Sequence, residues 1–403
     1  MHGGAAYAAP PQLCREVGAM DTIDVRSRGA VGDGLTDDWA AIQGALDEGA
    51  GREVYIPAGV YRVPHTLRVG SHTAIRADVG ARIFHCGSTQ KRRGDFLLTN
   101  SGRGDCDISV TGGVWDGNFD GCNNDKPSDL FDPGAWSGAL MNFTGVRGLR
   151  LSDMQLVNSV TYYVRMGGVD GFDIARLSFG ARRLSYNQDG LHFGGGCRNG
   201  RVEDITAADG ETNDDMIALN ADDSVVRLEN RDLERAAIEN IAFRGIRAAN
   251  CYTAVRMLSV DHCIRNITIE ELECGCRHYA LNMDGARYCR TPLFREEDMP
   301  WGCGLIENVR IDGMRVFASD AKATDPLICA ETRCRGLSIT GFERVLERDC
   351  CANATPTLLA RNLVDATITL GQKGARRSIN LAQKSDILNA SEPFDELCID
   401  SRG

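Results

Sequence analysis

The sequence predicts an all-β chain wound as a solenoid of stacked strands, with a short capping helix at its N-terminal end. Three observations carry that expectation. One phrase, a polar turn and an alternating apolar strand, recurs at Leu149–Leu156, Phe172–Leu177, Val202–Ile205, Ile238–Phe243, Ile264–Ile269, Ile306–Ile311 and Leu337–Ile339, its starts 23 to 42 residues apart. A second short strand recurs in the same register, at Val164–Met166, Leu191–Phe193, Ile217–Leu219, Val255–Met257 and Leu281–Met283. The 45 glycines against 11 prolines in 403 residues suit many tight turns between short strands. Period-two alternation marks strands with one buried face, and self-similarity at this period marks coils that stack to bury one continuous core.

Taken in order, residues 1–20 read as a flexible lead-in, with Met20 an alternative start. Residues 21–370 read as a single β-helix domain. Its first turns carry the segment Asp24–Gln43 and then Val54–Tyr61. A helix is expected near 37–48, capped by Thr36 or Asp37, with Ala40, Ala41, Ile42, Ala45 and Leu46 on its apolar face. It would plug the open end of the coil, where stacked strands leave unpaired edges. The insertions 222–236 and 288–304, the second holding Trp301, are expected to wall a cleft, since solenoid insertions emerge as loops on one side. Residues 371–403 are charged and weakly periodic, and read as an irregular cap.

Composition excludes several classes. The 45 basic against 56 acidic residues give a formal charge of −11, and no basic run is interleaved with aromatics, so nucleic acid is not an expected partner. No stretch approaches 18 consecutive apolar residues, so no membrane span is expected. The N-terminus shows no positive start and apolar block, which leads to an expected cytoplasmic location. The 16 cysteines then read as ordinary thiols packed between turns. Cys274/Cys276 and Cys350/Cys351 are close pairs without a second pair at zinc spacing, so no metal and no cofactor are expected.

The chemistry concentrates in the second strand set. Alternation turns Arg165, His192, Ala218, Arg256 and Asn282 outward as a ladder, one per coil. Two acidic clusters, Asn187-Gln188-Asp189-Gly190 and Asn213-Asp214-Asp215, enter this ladder 25 residues apart, about one repeat. Adjacent rungs lie roughly 4.7–4.9 Å apart. Three carboxyls that close can protonate a leaving group and activate a water. Their mutual repulsion raises at least one pKa and keeps a proton available near neutrality.

Residues 29–38 with Tyr55–Tyr61 resemble the N-terminal segment of pectate-lyase-superfamily right-handed parallel β-helices. Gly113–Asn118, Asn187–Gly190 and Asp214–Asn220 resemble motifs of polygalacturonase-type glycoside hydrolases (family 28), a likeness spanning roughly residues 21 to 345. The resemblance implies an inverting hydrolysis of an oligo- or polysaccharide, with Asp189, Asp214 and Asp215 catalytic. Asp214 would be the general acid, with Asp189 and Asp215 acting on water. Two departures stand out. The next coil reads Cys251–Arg256 where the family has a glycine–histidine–glycine turn. The strand after it reads Asn282-Met283-Asp284 where the family places a lysine to hold a uronate.

Further substrate contacts are expected from Arg165 and Arg256, placed on neighbouring rungs to clasp a carboxylate or sulfate or else salt-bridged to the aspartates. His192 is expected to bind a hydroxyl or tune Asp189, with a lone surface histidine as the alternative. His278 is expected in the position of the missing histidine, with Asn282 and Asp284 beside it. Trp115, Asp116 and Trp136 lie on earlier coils, where an aromatic can stack on a sugar. Exo action is expected if the insertions close one end, and the oligomeric state stays open. Three alternatives remain: a polysaccharide lyase with Ca²⁺ on the aspartates and Arg256 as base, a sugar-transferring enzyme with the same acids, and a non-catalytic glycan-binding β-helix.

Overall fold

Alternation along each repeat produces strands, and stacking those strands produces the coil. The computed structural model describes residues 21–86, 96–122, 139–222, 233–285 and 304–351, then residues 355–360 and short strands as far as Ile399. The expected cleft-wall residues 223–232 and 286–303, with Trp301, and also Trp136, lie outside the described residues. The chain is a right-handed parallel β-helix with two long sheets. One has 11 short strands, among them Val164–Gly167, Leu191–Gly194, Asp215–Asn220, Thr253–Leu258 and Leu281–Asp284. The other has 19 strands and wraps the remaining two sides.

That wrapping shows how the repeat evolves along the chain. In the first turns the two sides are separate strands, Glu53–Ile56 then Gly59–Val63, and Cys106–Thr111 then Val114–Asp116. From Arg147 onward each pair fuses into one bent strand, such as Arg147–Val157 and Asp170–Gly180. The bend falls on one residue per coil: Asp153, Arg176, Asp204, Gly245, Glu271, Gly313 and Gly341, all at φ between +53° and +74°. Left-handed backbone costs a side-chain-bearing residue about 1–2 kcal/mol, which cross-rung pairs such as Arg176 to Asp153 at 2.6 Å help offset.

A second left-handed column opens the long strands. Asn199, Asn240, Asn266 and Asn308 hold φ between +53° and +59°. Each amide nitrogen donates to the previous rung's amide oxygen at 3.1, 2.9 and 3.2 Å, and Asn199 itself donates to Asp170 at 2.8 Å. An amide carries both a donor and an acceptor, so an identical residue can repeat every rung without unpaired groups.

The core lies inside the coil. The columns Val164, Leu191, Ile217, Val255, Leu281, Ile328 and Met166, Phe193, Leu219, Met257, Met283, Ala330 are fully buried, as alternation requires. Phe193 also packs on Phe172 and Phe243, with ring centres 5.3 and 5.8 Å away.

The N-terminal helix is Trp39–Asp47, and it buries Ile42, Ala45 and Leu46 against the first turn, while Ala40 is exposed. Its N-cap residue is Asp38 rather than Thr36 or Asp37. Asp38 points back to accept from the Val31 amide at 2.6 Å, while Asp37 accepts from the Trp39 amide at 2.9 Å. Edge protection is explicit: Gln43 donates to the Arg68 carbonyl at 3.0 Å and accepts from the Arg68 amide at 2.9 Å. One side chain thereby satisfies both backbone groups of a first-rung strand. At the other end, the stretch after 370 is not wholly irregular. It carries Arg376–Ile379, Ile387–Asn389 and Glu396–Ile399, and the last two pair antiparallel with earlier strands.

Candidate active site

Register brings the two acidic clusters together. Leu191 pairs with Ile217, and two residues earlier the Gly190 amide donates to the Asp215 carbonyl at 2.9 Å, so Asp189 stacks beside Asp215. The loops that deliver them are held by buried amides. Gln188 accepts from the Ser185 amide at 2.6 Å and donates to the Ser159 carbonyl at 2.8 Å. Asn213 donates to the Ser185 carbonyl at 2.9 Å, tying one acidic loop to the other. Arg277 donates to Asn213 Oδ1 at 2.6 Å and to the Gly210 and Asn250 carbonyls at 3.1 and 3.0 Å.

Burial then sets the charge states. Asp189 and Asp215 are only 3 % and 2 % exposed, whereas Asp214 is half-buried. Removal from water, followed by the neighbouring Asp214 and then Asp189, pushes the Asp215 carboxyl well above the usual carboxylate range, with Arg256 and His192 opposing. The protonated form of Asp215 is thereby favoured. Asp189 Oδ1 and Asp215 Oδ2 are buried without a hydrogen-bond partner among the described residues. Unsatisfied buried oxygens of this kind mark a place that a ligand can complete.

The ladder forms as expected: Arg165, His192, Ala218, Arg256 and Asn282 pair in succession. Three details differ from expectation. Arg165 and Arg256 are not neighbours, since His192 and Ala218 stand between them. Arg165 is buried and donates to Asn142 at 2.8 Å. His192 is not a surface histidine; it is 1 % exposed, bonded to Asp189 at 2.7 Å and stacked on Tyr162 at 4.4 Å. Arg256 sits between two carboxylates, 3.5 Å from Asp215 Oδ2 and 2.8 Å from Asp284 Oδ2. Asp284 is thus an ion-pair partner within the site, and Asn282 is half-buried beside it.

His278 pairs with Asp325 at 2.6 Å and stacks on Tyr252 at 4.1 Å. Tyr252, on the coil after the acids, has its hydroxyl pushed up to about 12 by burial and by Asp214 and Asp215. It occupies the turn where the resembled family carries histidine, and His278 lies behind it.

Trp115 cannot stack on a sugar. It is completely buried in the core, and its indole donates to the Gly112 carbonyl at 3.1 Å. Asp116 is buried and ion-paired with Arg82. Together they help line a cavity of about 320 Å³ with Asn118, Phe119, Asn158 and Arg183, which the three acids do not line.

Sequence reasoning missed three residues. Glu211 is completely buried, and burial lifts its carboxyl to about 7 although the Tyr163 hydroxyl donates to it at 2.9 Å. Its position three residues before Asp214 was the available signal. Arg277 gave none, because its targets are mostly backbone carbonyls. Tyr186, 64 % exposed on the loop entering Asp189, is the accessible aromatic that Trp115 was expected to be.

One group of metal-binding types occurs among the described residues. His72, Cys106 and Asp107 hold their ligand atoms within 4.8 Å of one another on an early turn, with His72 and Asp107 exposed. The core cysteines, including Cys251, Cys274 and Cys276, are free thiols. No described helix is long and apolar enough to cross a membrane.

Comparison with known proteins agrees with the coil. Residues 22–104 match the family described as Rhamnogalacturonase A/epimerase, pectate lyase-like. An exopolygalacturonase of Arabidopsis thaliana is 25 % identical over 213 residues, 49 % of this chain and 44 % of that protein. The chain's matches span less than half the length of each such curated relative. Among solved structures, the family 28 exopolygalacturonase of Yersinia enterocolitica is similar with a TM-score of 0.53 at 16 % identity, covering 88 % of this chain and 76 % of that one. PfbA, a surface adhesin of Streptococcus pneumoniae, is similar with a TM-score of 0.55 at 16 % identity, covering 87 % and 88 %. The coil and these neighbours show a parallel β-helix whose first turns match a pectate lyase-like family and which is similar to polygalacturonase-type proteins.

Proposed function

We propose that the protein is a glycoside hydrolase that cleaves an oligo- or polysaccharide by acid/base catalysis on Asp189, Asp214 and Asp215. The observation that carries this reading is the stacking of Asp189 on Asp215, with Asp214 beside them and a proton retained in the cluster. Hydrolysis needs one carboxyl that donates a proton and one carboxylate that takes one from water. Asp214, half-buried at the loop tip, is the carboxyl that reaches a leaving oxygen. Asp189, fixed by His192, takes the proton from water, Asp215 shares its proton with Asp214 beside it, and the outcome is inversion. Arg277 and Gln188 are positioning residues that keep the two loops in register. Tyr186 supplies the apolar face on which a sugar ring rests.

The lyase alternative fits less well. Arg256 turns Nε and NH2 to Asp284 and NH1 toward Asp215, so it is poorly placed to reach a substrate proton as a base. A second reading, a glycan-binding β-helix without catalysis, draws on the near-complete burial of Asp189 and Asp215 and on the likeness to the adhesin. The free thiols of the core suit the reducing cytoplasm proposed as its location.

A screen of oligosaccharides, read by release of reducing ends and by the anomer formed, tests the reading. Wild type should release the inverted anomer and Asp214→Asn should lose at least 10³-fold in kcat with an unchanged melting temperature. Equal activity of the two proteins refutes it.

A further inference from the structure

The glycan that this site accepts follows from how its cations are committed. Four carboxyl groups converge here: Asp189, Asp214, Asp215 and Asp284. Three arginines stand near them among the described residues, and each directs at least one guanidinium nitrogen to a protein group. Arg256 directs Nε and NH2 at Asp284 Oδ2, 3.0 and 2.8 Å away, and NH1 at Asp215 Oδ2, 3.5 Å away. A guanidinium grips a carboxylate with two parallel N–H groups, and Arg256 has spent both edges on protein carboxyls. Arg277 faces the Gly210 and Asn250 carbonyls and Asn213 Oδ1. Arg165 is a fully buried member of the ladder and turns NH1 toward Asn142, on the coil before it and away from Asp215.

The remaining polar groups suit hydroxyls. Asp189 Oδ1 is a buried acceptor without a partner, Asn282 offers an amide at the half-buried edge of the ladder, and Tyr252 keeps a neutral hydroxyl. An acceptor lacking a donor is completed by a sugar hydroxyl and opposed by a carboxylate.

We propose that the sugar bound at the acids is uncharged, a hydroxyl-bearing residue and not a uronate. This rests on the glycan-hydrolase reading of the same site and names its substrate class. Asp284 is the specificity-determining residue: its charge both occupies Arg256 and repels a substrate carboxylate.

The test uses matched glycans that differ only at C6, oligogalacturonides and oligoglucuronides beside the same chains after their carboxyl groups are reduced. Binding is measured by calorimetry and cleavage by reducing-end release, for wild type, Asp284→Asn and Asp214→Asn. The reduced, uncharged chains should be bound or cut at least tenfold better by wild type. Asp284→Asn keeps the shape but releases Arg256, and should move that ratio at least fivefold toward the uronates. Asp284→Asn is checked by its melting temperature, and wild-type discrimination stands as a readout if this variant fails to fold. Uronates preferred by wild type overturn the inference and leave hydrolysis intact. Uncharged chains bound without cleavage refute hydrolysis and leave the inference standing. Binding of neither class overturns the inference.

Discussion

Glu211 offers a quantitative test of how this site is built. Its carboxyl is completely buried beneath the loop that carries Asp214, and its pKa moves from 4.5 to about 7, chiefly because burial removes it from water. Between those values the native state holds a proton that the unfolded chain has lost. Native protons in excess mean that stability falls as pH rises through this window and levels off above about 7. At 1.36 kcal/mol per unit, a shift of about 2.5 units corresponds to roughly 3 kcal/mol of lost stability by pH 8. Glu211→Gln keeps the shape and an oxygen to accept from the Tyr163 hydroxyl, but has no proton to lose. Compared with wild type, the variant should be near parity at pH 4.5 and more stable by about 3 kcal/mol at pH 8. Other titrating groups, Asp215 included, are present in both proteins and cancel from the difference. Urea midpoints taken every half pH unit from 4.5 to 8.5 measure it. Parallel curves for the two proteins would show that Glu211 is ionised at ordinary pH and that its burial carries no electrostatic cost.

Three further predictions follow from named contacts. Arg277→Ala removes the bonds to Asn213, Gly210 and Asn250, so kcat should fall at least 10²-fold through misplacement of Asp214, and Arg277→Lys should not restore it. Unchanged kinetics would remove Arg277 from the positioning role. Asn266→Ala breaks the amide ladder on both sides and places a methyl-bearing residue at φ +57°, a loss of about 2 kcal/mol in urea denaturation; Asn266→Gly should recover about half. Equal losses for Ala and Gly would refute the backbone part of that account. Tyr186→Ala should weaken glycan binding by about tenfold with the melting temperature unchanged, since its ring is mostly exposed. A fall in stability without loss of binding would make Tyr186 a packing residue.

The coil was legible because its signal is periodic. Alternation fixed which residues of Leu191-His192-Phe193 face inward, and equal repeat lengths placed Asp189 beside Asp215, as the backbone bond from Gly190 to Asp215 shows. What alternation does not report is what covers the outer face. Tyr162 stacked on His192 is such a cover, and it buries the histidine that the sequence placed beside Asp189. The ladder order already separates Arg165 from Arg256 by His192 and Ala218, so the expected clasp between the two arginines does not form. Trp115 was misplaced for a different reason. It was judged by its closeness to a turn, whereas its register with Ile83 and Leu156 sets it in an inward column. The Asn199–Asn308 ladder and the role of Arg277 depend on contacts across turns, which residue type alone does not encode.

The two outward columns of this coil obey opposite rules, and the contrast locates the site independently of any acid motif. Stacking repeats a position about every 4.8 Å, so a charge repeated on consecutive rungs repels its copies. The structural column at the strand starts avoids this with a neutral amide at Asn199, Asn240, Asn266 and Asn308, each pairing with the next. The column on the short sheet runs Asn142, Arg165, His192, Ala218, Arg256 and Asn282, with no residue repeated on successive rungs. Mutual pairing along the column cannot explain such a sequence, since Ala218 interrupts it between His192 and Arg256. Arg165 pairs along the column with Asn142, but His192 pairs sideways with Asp189 and Arg256 with Asp215 and Asp284. The polar groups on either side of Ala218 face Asp189 and Asp215, whose Oδ1 and Oδ2 accept no hydrogen bond among the described residues, with Arg256 3.5 Å from the second. Replacing Ala218 with asparagine tests this directly. If the column were structural, the new amide would bridge His192 and Arg256 and raise stability. Ala218 is itself completely buried, so if the column serves a ligand instead, Ala218→Asn should lower glycan affinity at least tenfold without raising the melting temperature.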